Sequence, residues 1–303
     1  MKGISHVLQG LVVSVFVGGI FFITGFGFVK AMEVKPPILE VRAAGGETAG
    51  AVFFLKNTEM VEQTYGFSIQ GFVAQGDQGQ QTFLSPADTE GLPSWLYLKS
   101  PRMTLAPGAT VSVPLLLRPP VGTEAGGYQA VVFVSRVDPG QVEGVVLGSR
   151  VGVLVFATVE GDVQRSVSIA SFQRVSSRLG WWFSPRFEVV LRNEGQAHEI
   201  PNGNVRIKNI FGQTKERVSL QTTERVGRIL PRSERRFEVE PVKKDGWIEG
   251  WGLGIYRAEF FLDEPFTARA DGGWFFVIPW KTLTVLGVGI MFVWWRRRRG
   301  WRA

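Results

Sequence analysis

Between residues 32 and 273 the chain has no uninterrupted amphipathic helical window of 12 residues; its apolar residues fall in short runs closed by Gly, Pro, Asn or Asp. Tyr65, Phe67 and Ile69 alternate with Gly66, Ser68 and Gln70, and Phe187, Val189 and Leu191 alternate with Glu188, Val190 and Arg192. Phe237 and Val239 alternate with Glu238 and Glu240 in the same way. A period of two is the mark of strands with one face buried. Continuous apolar stretches at Ala130 to Val134 and Val151 to Phe156 fit strands covered more deeply. The expected fold class is all-β, with strands at roughly 8–12-residue spacing as in tandem immunoglobulin-like β-sandwiches.

An internal repeat points to two copies. VFFLKN ends at Asn57, L-A-P-G covers Leu105 to Gly108, and G-G-Y-Q-A covers Gly126 to Ala130. The order returns as VVLRN ending at Asn193, I-L-P at Ile229 to Pro231, and G-I-Y-R-A at Gly254 to Ala258. Asn tolerates the unusual backbone angles of a turn, and L-A-P-G before an alternating strand is itself a turn. Gly-x-Tyr-x-Ala resembles the late strand where a tyrosine corner sits, which makes Tyr128 and Tyr256 structural candidates. The expected units are residues 32–160 and 161–273, joined near Val159-Glu160-Gly161-Asp162. The first holds 8 basic and 12 acidic groups and the second 18 and 15, so their surfaces differ in sign.

The formal net charge of +7 would suggest nucleic acid if it were spread along the chain. It is not: the central region holds 26 basic and 27 acidic groups, and the excess sits in the two ends. Val7 to Val29 carries no ionisable residue and follows Lys2, so residues 1–31 read as a signal peptide or a signal anchor. Residues 274–295 form a second apolar segment, followed by the basic tail 296–303 with Arg296, Arg297, Arg298 and Arg299. With Lys281 snorkelling to the outer interface and Trp280, Trp294 and Trp295 at the two belts, this reads as a transmembrane helix. The positive-inside rule then expects a single-pass protein of the cell membrane with residues 32–273 outside and the C-terminus in the cytoplasm. The lipid bilayer is an expected partner and nucleic acid is not.

The chain has no Cys and two His, which removes disulfides, thiolate metal sites and multi-histidine centres. No Walker loop, dinucleotide fingerprint, H-E-x-x-H or G-x-S-x-G is present. No cofactor, metal or catalytic residue is therefore expected, although paired carboxylates such as Asp77, Asp88 and Glu90 leave a glycan hydrolase open. The Gln-rich stretch with Gln75, Asp77, Gln78 and Gln80 is a candidate contact loop, or a plain hairpin turn. Trp95 and Tyr97 flank Leu96 and would share one strand face, as a stacking surface or as core. Trp181 with Trp182, and Trp247 with Trp251, raise the same alternatives. Arg232, Arg235 and Arg236 alternate with acids and read as a solvated strand or loop.

The segments PPILEVRAAGGETAGAVFFLKN, YGFSIQGF, MTLAPGATVSVPLLL and EAGGYQAVVFVS resemble the N-terminal domain of the WxL-interacting cell-surface proteins. That resemblance implies peptidoglycan binding by the first unit and a protein partner for the second. The usual Asn-rich strand motif of the family is replaced here by VAQGDQGQQTF. The expected function is a non-enzymatic, membrane-anchored surface protein that binds a cell-wall polymer or a surface protein. A chaperone-like or assembly scaffold protein is the alternative, because sandwiches can pair an incoming strand at an open edge.

Overall fold

The computed structural model describes residues 32–137, 150–175, 185–222, 226–240, 254–277 and 280–300. The expected targeting segment 1–31 and the pairs Trp181–Trp182 and Trp247–Trp251 lie outside the described residues.

The alternating segments become strands arranged in four sheets. The first sheet orders β1 (Met32–Lys35), β3 (Ala49–Asn57), β8 (Thr110–Leu117) and β6 (Leu96–Leu98), all antiparallel. The second orders β2 (Ile38–Ala43), β10 (Arg150–Val159), β9 (Gly126–Val137), β4 (Gln63–Gln75) and β5 (Gln80–Phe83), with β7 (Arg102–Leu105) also on β4. Its β2–β10 pair is parallel. The third sheet orders β11 (Val167–Val175), β12 (Arg186–Asn193) and β15 (Ser233–Val239). The fourth orders β14 (Thr214–Ser219), β13 (Gly203–Asn209), β16 (Gly254–Leu262) and β17 (Ala268–Val277).

Period two decides what each sheet buries. Phe53 and Leu55 of β3, Val113, Leu115 and Leu117 of β8, and Val153, Val155 and Ala157 of β10 meet in one core between the first two sheets. Phe187, Val189 and Leu191 of β12, Val205 and Ile207 of β13, and Ala258 and Phe260 of β16 form another between the last two. The fold class is all-β.

The repeated Asn explains itself in three dimensions. Asn57 is buried, and its Nδ2 donates to the Val61, Leu105 and Ala106 carbonyls at 2.8, 3.1 and 3.2 Å. Its Oδ1 accepts from the Glu59 N–H and the Tyr65 hydroxyl, both at 3.0 Å. Asn193, also buried, donates to the Ala197 and Ile229 carbonyls at 2.7 and 3.1 Å and accepts from Gly195 N–H at 2.9 Å. Each Asn thus ties the turn after its own strand to the downstream turn that carries the repeated proline motif. A buried amide with both ends satisfied is the physical content of the repeat.

Two helices are described. The short α1 (Leu92–Trp95) has proline in its first turn. The longer α2 (Trp280–Gly300) carries Trp280, Lys281, Trp294, Trp295 and Arg296 to Arg299. The expected membrane anchor is corrected here. Trp274 to Val277, counted in the apolar segment from sequence, belong to β17, where Phe275 pairs with Tyr256 and Val277 with Gly254. Between Lys281 and Arg296 remain 14 uncharged residues, about 21 Å of helix against a hydrocarbon core of about 30 Å. No helix among the described residues is long and apolar enough to cross a membrane, which corrects the expected single-pass topology and cell-membrane location and leaves the bilayer partner without support.

Candidate functional site

β10 is paired along its whole length by β9, from Arg150 opposite Ser135 to Val159 opposite Gly126. On its other side β2 covers only Leu154 to Val159. The reason lies just upstream of β2: Pro36 and Pro37 have no N–H, so the parallel ladder cannot continue beyond them. The chain instead passes to β1, which pairs with β3 in the first sheet. Arg150 to Val153 are left as an edge that no strand among the described residues pairs.

The polarity of that edge follows from its neighbours. Leu154 N–H donates to Pro37 O at 2.9 Å and Glu160 N–H to Ala43 O at 3.0 Å, so even-numbered residues of β10 present their main-chain groups toward β2. Arg150 and Gly152 therefore aim their N–H and C=O groups at the uncovered side. A Cβ on Gly152 would sit 2.9 Å from Val131 Cγ2 and 3.3 Å from the Phe133 ring, so only glycine leaves this backbone so close to its neighbours. The Arg150 guanidinium covers the Phe133 ring at 4.1 Å from its centroid.

Beside this edge the outer face of the second sheet is aromatic, and it meets residues of the later chain. Phe156 packs edge-on to Phe72 at 6.0 Å and tilted against His198 at 4.9 Å, with Leu230 in the same buried cluster. Arg228 pairs with Glu40 at 2.5 Å and lies 5.4 Å from the Phe156 ring centroid. Gly127 N–H donates to Gln196 O at 2.8 Å, and a Cβ there would press on backbone atoms of Ala197 and His198 at 2.9 Å. The open edge is thus carried on a sheet braced from behind.

Burial, with help from Arg228 and Arg42, holds the His198 imidazole below its ordinary 6.5, against the opposing pull of Glu40 and Glu199. The unfolded chain takes up this proton near pH 6.5 and the folded chain only at lower pH. In that window the unfolded state binds more protons, so stability falls as pH falls. The urea midpoint should drop between pH 7 and 5.5, and His198→Gln should remove that part of the drop. Glu40, held below 4.5 by the Arg228 hydrogen bond, loses its contribution only at more acid pH.

The candidate contact residues read from sequence are dispersed. Gln75 and Gln80 face each other beside the turn of the β4–β5 hairpin, and Thr82 donates to Gln75 Oε1 at 2.6 Å. Gln78 is exposed in the turn. Asp77 instead holds Arg236 of β15 at 2.5 Å, and the Arg236 N–H also donates to Asp77 O. Arg236 reaches Glu188 at 3.3 Å as well, so it is a junction residue more than a solvated one. Trp95 and Tyr97 do not share a face. Trp95 ends α1 and meets Tyr128 edge-on at 4.7 Å against the first core, whereas Tyr97 is exposed with Arg118 5.6 Å from its ring centroid. Tyr128 donates its hydroxyl to Glu124 O, four residues upstream, at 2.9 Å, and Tyr256 is buried against Phe275. The residues missed from sequence, Pro36, Pro37 and Gly152, had a signal in the Pro-Pro step.

No family model and no curated protein matches the chain. Among solved structures it is similar to the class 5 fimbriae chaperone CfaA, at 11% identity and TM-score 0.42, over 82% of this chain and 99% of that one. It is similar to the E. coli chaperone DraB at 12% identity and TM-score 0.37, over 82% and 97%. A chain of the CsuC–CsuE chaperone–tip adhesion subunit complex of Acinetobacter baumannii matches at 12% identity and TM-score 0.37, over 69% and 90%.

Proposed function

We propose that the chain is a non-catalytic assembly chaperone or scaffold, built of two immunoglobulin-like sandwiches over 32–160 and 161–273, that receives an extended segment of a client protein along the open half of β10. The observation that carries this reading is the edge at Arg150 to Val153, paired by β9 on one side and left by β2 on the other. An added strand would run in line with β2, hydrogen-bonded to Arg150 and Gly152, with alternate side chains on the aromatic outer face. We carry the WxL-interacting resemblance into this proposal as the kind of client it implies, a surface protein.

The test uses an alternating Val–Thr peptide of about nine residues and two versions N-methylated on every second residue, in the two possible phases. A strand added at one edge faces β10 with the N–H groups of one phase only. One phase should weaken binding by about tenfold or more, from the loss of two or more main-chain hydrogen bonds at about 0.5–1.5 kcal/mol each. The other phase should bind like the parent. Equal binding of the two methylated peptides would rule out strand addition.

A further inference from the structure

By register, Arg217 on β14, Arg206 and Lys208 on β13, Arg257 on β16 and Arg269 on β17 share the outer face of the fourth sheet. Glu259 and Asp271 are cross-strand neighbours on β16 and β17, and Asp263, just past the end of β16, accepts from Asn204 Nδ2 at 3.2 Å. Glu259, 4% exposed, accepts from Lys208 at 2.7 Å and Arg269 at 2.5 Å, while Arg257 pairs with Asp271. The cations of β16 and β17, and Lys208, are therefore held in place by carboxylates belonging to the face itself.

Arg206 and Arg217 are the exception. They stand directly opposite each other in the β13–β14 register, an arrangement of like charges that destabilises a sheet. Among the described residues neither has a carboxylate partner; Arg206 donates to Asn204 Oδ1 at 2.8 Å and lies 4.0 Å from the Phe261 ring centroid. The Glu259 carboxylate opposite Arg206 on β16 is already engaged by Lys208 and Arg269. The face repeats a cation–carboxylate pattern and lacks one carboxylate at this point.

We propose that this face docks an acidic segment of a partner protein, one of whose carboxylates seats between Arg206 and Arg217. Charge complementarity points to carboxylate because the same face already seats two of them on Lys208, Arg257 and Arg269. Arg206 and Arg269 lie 4.0 and 5.3 Å from the Phe261 centroid and Arg257 lies 5.6 Å from that of Trp274, while Trp274 and Phe276 on the same face stay about half exposed. The surface belongs to a different sheet from the β10 edge and is read by an assay independent of strand addition.

The test is anisotropy of fluorescein-labelled poly-L-glutamate with the full chain, with inorganic polyphosphate of matched charge as competitor. The double variant Arg206→Gln/Arg217→Gln should bind at least about tenfold more weakly, with the exposed-cation control Lys35→Gln unchanged. Arg217→Gln alone should weaken binding and raise the melting temperature, because it removes the cross-strand repulsion. A cation with a purely structural role would lower the melting temperature instead, and that result would overturn the assignment. Unchanged polyglutamate binding in the double variant would do the same, as would polyphosphate outcompeting polyglutamate at equal charge.

Discussion

Asn57→Ala is expected to destabilise the protein by about 3–5 kcal/mol, as the loss of several buried hydrogen bonds at about 1–3 kcal/mol for each group left unsatisfied. The side chain serves three carbonyls, one N–H and the Tyr65 hydroxyl at distances of 2.8 to 3.2 Å. Alanine fills none of those roles, and water has little access to a fully buried position. Tyr65→Phe deletes only the hydroxyl end and should cost about 1 kcal/mol. Urea unfolding of both variants, with Asn193→Ala beside them, is the measurement. A loss below about 1 kcal/mol for Asn57→Ala would mean that the turns hold themselves without the amide, against the general cost of orphaned buried groups.

Phe156→Ala should cost about 3–4 kcal/mol, within the range for buried phenylalanine. The ring is 3% exposed and contacts Phe72, His198 and the Arg228 guanidinium, so truncation leaves a void on the outer face of the second sheet, not in either main core. This placement gives a second readout. Burial is the largest cause of the low His198 pKa, so opening the site to water should move the imidazole back up toward 6.5. NMR titration of His198 in the wild type and the variant measures it. An unchanged His198 titration in a destabilised Phe156→Ala protein would show that the two groups are not joined as described.

The strands were legible because their information is local. Phe187, Val189 and Leu191, read as one face from alternation, are all fully buried in the second core. The repeated Asn and the proline turns were legible as an ordered motif, and the structure supplies their hydrogen bonds. Tyr128, singled out by its Gly-x-Tyr-x-Ala motif, donates its hydroxyl to Glu124 O, four residues upstream. Trp95 and Tyr97 were misread because Pro93 starts a helical turn that rotates Trp95 away from the strand.

The membrane anchor failed for a non-local reason. An apolar count along the chain does not see that Tyr256, on the preceding strand, takes Phe275 as its strand partner and removes the start of the segment from any helix. Asp77 and Arg236 lie 159 residues apart, and neither carries a local mark of the other. The like-charged facing of Arg206 and Arg217 depends on a hairpin register with an irregularity at Ile207 and Lys208.

Fold class, strand periods, turn chemistry and the point where Pro36–Pro37 interrupts a ladder were set by the sequence itself, since alternation, missing N–H groups and amide chemistry act within a few residues. Which edge stays open, which acids are taken up at the junction and which cations are left facing each other were decided only by the tertiary structure, because hydrogen bonds and charges pair across strands whose neighbours are chosen by packing.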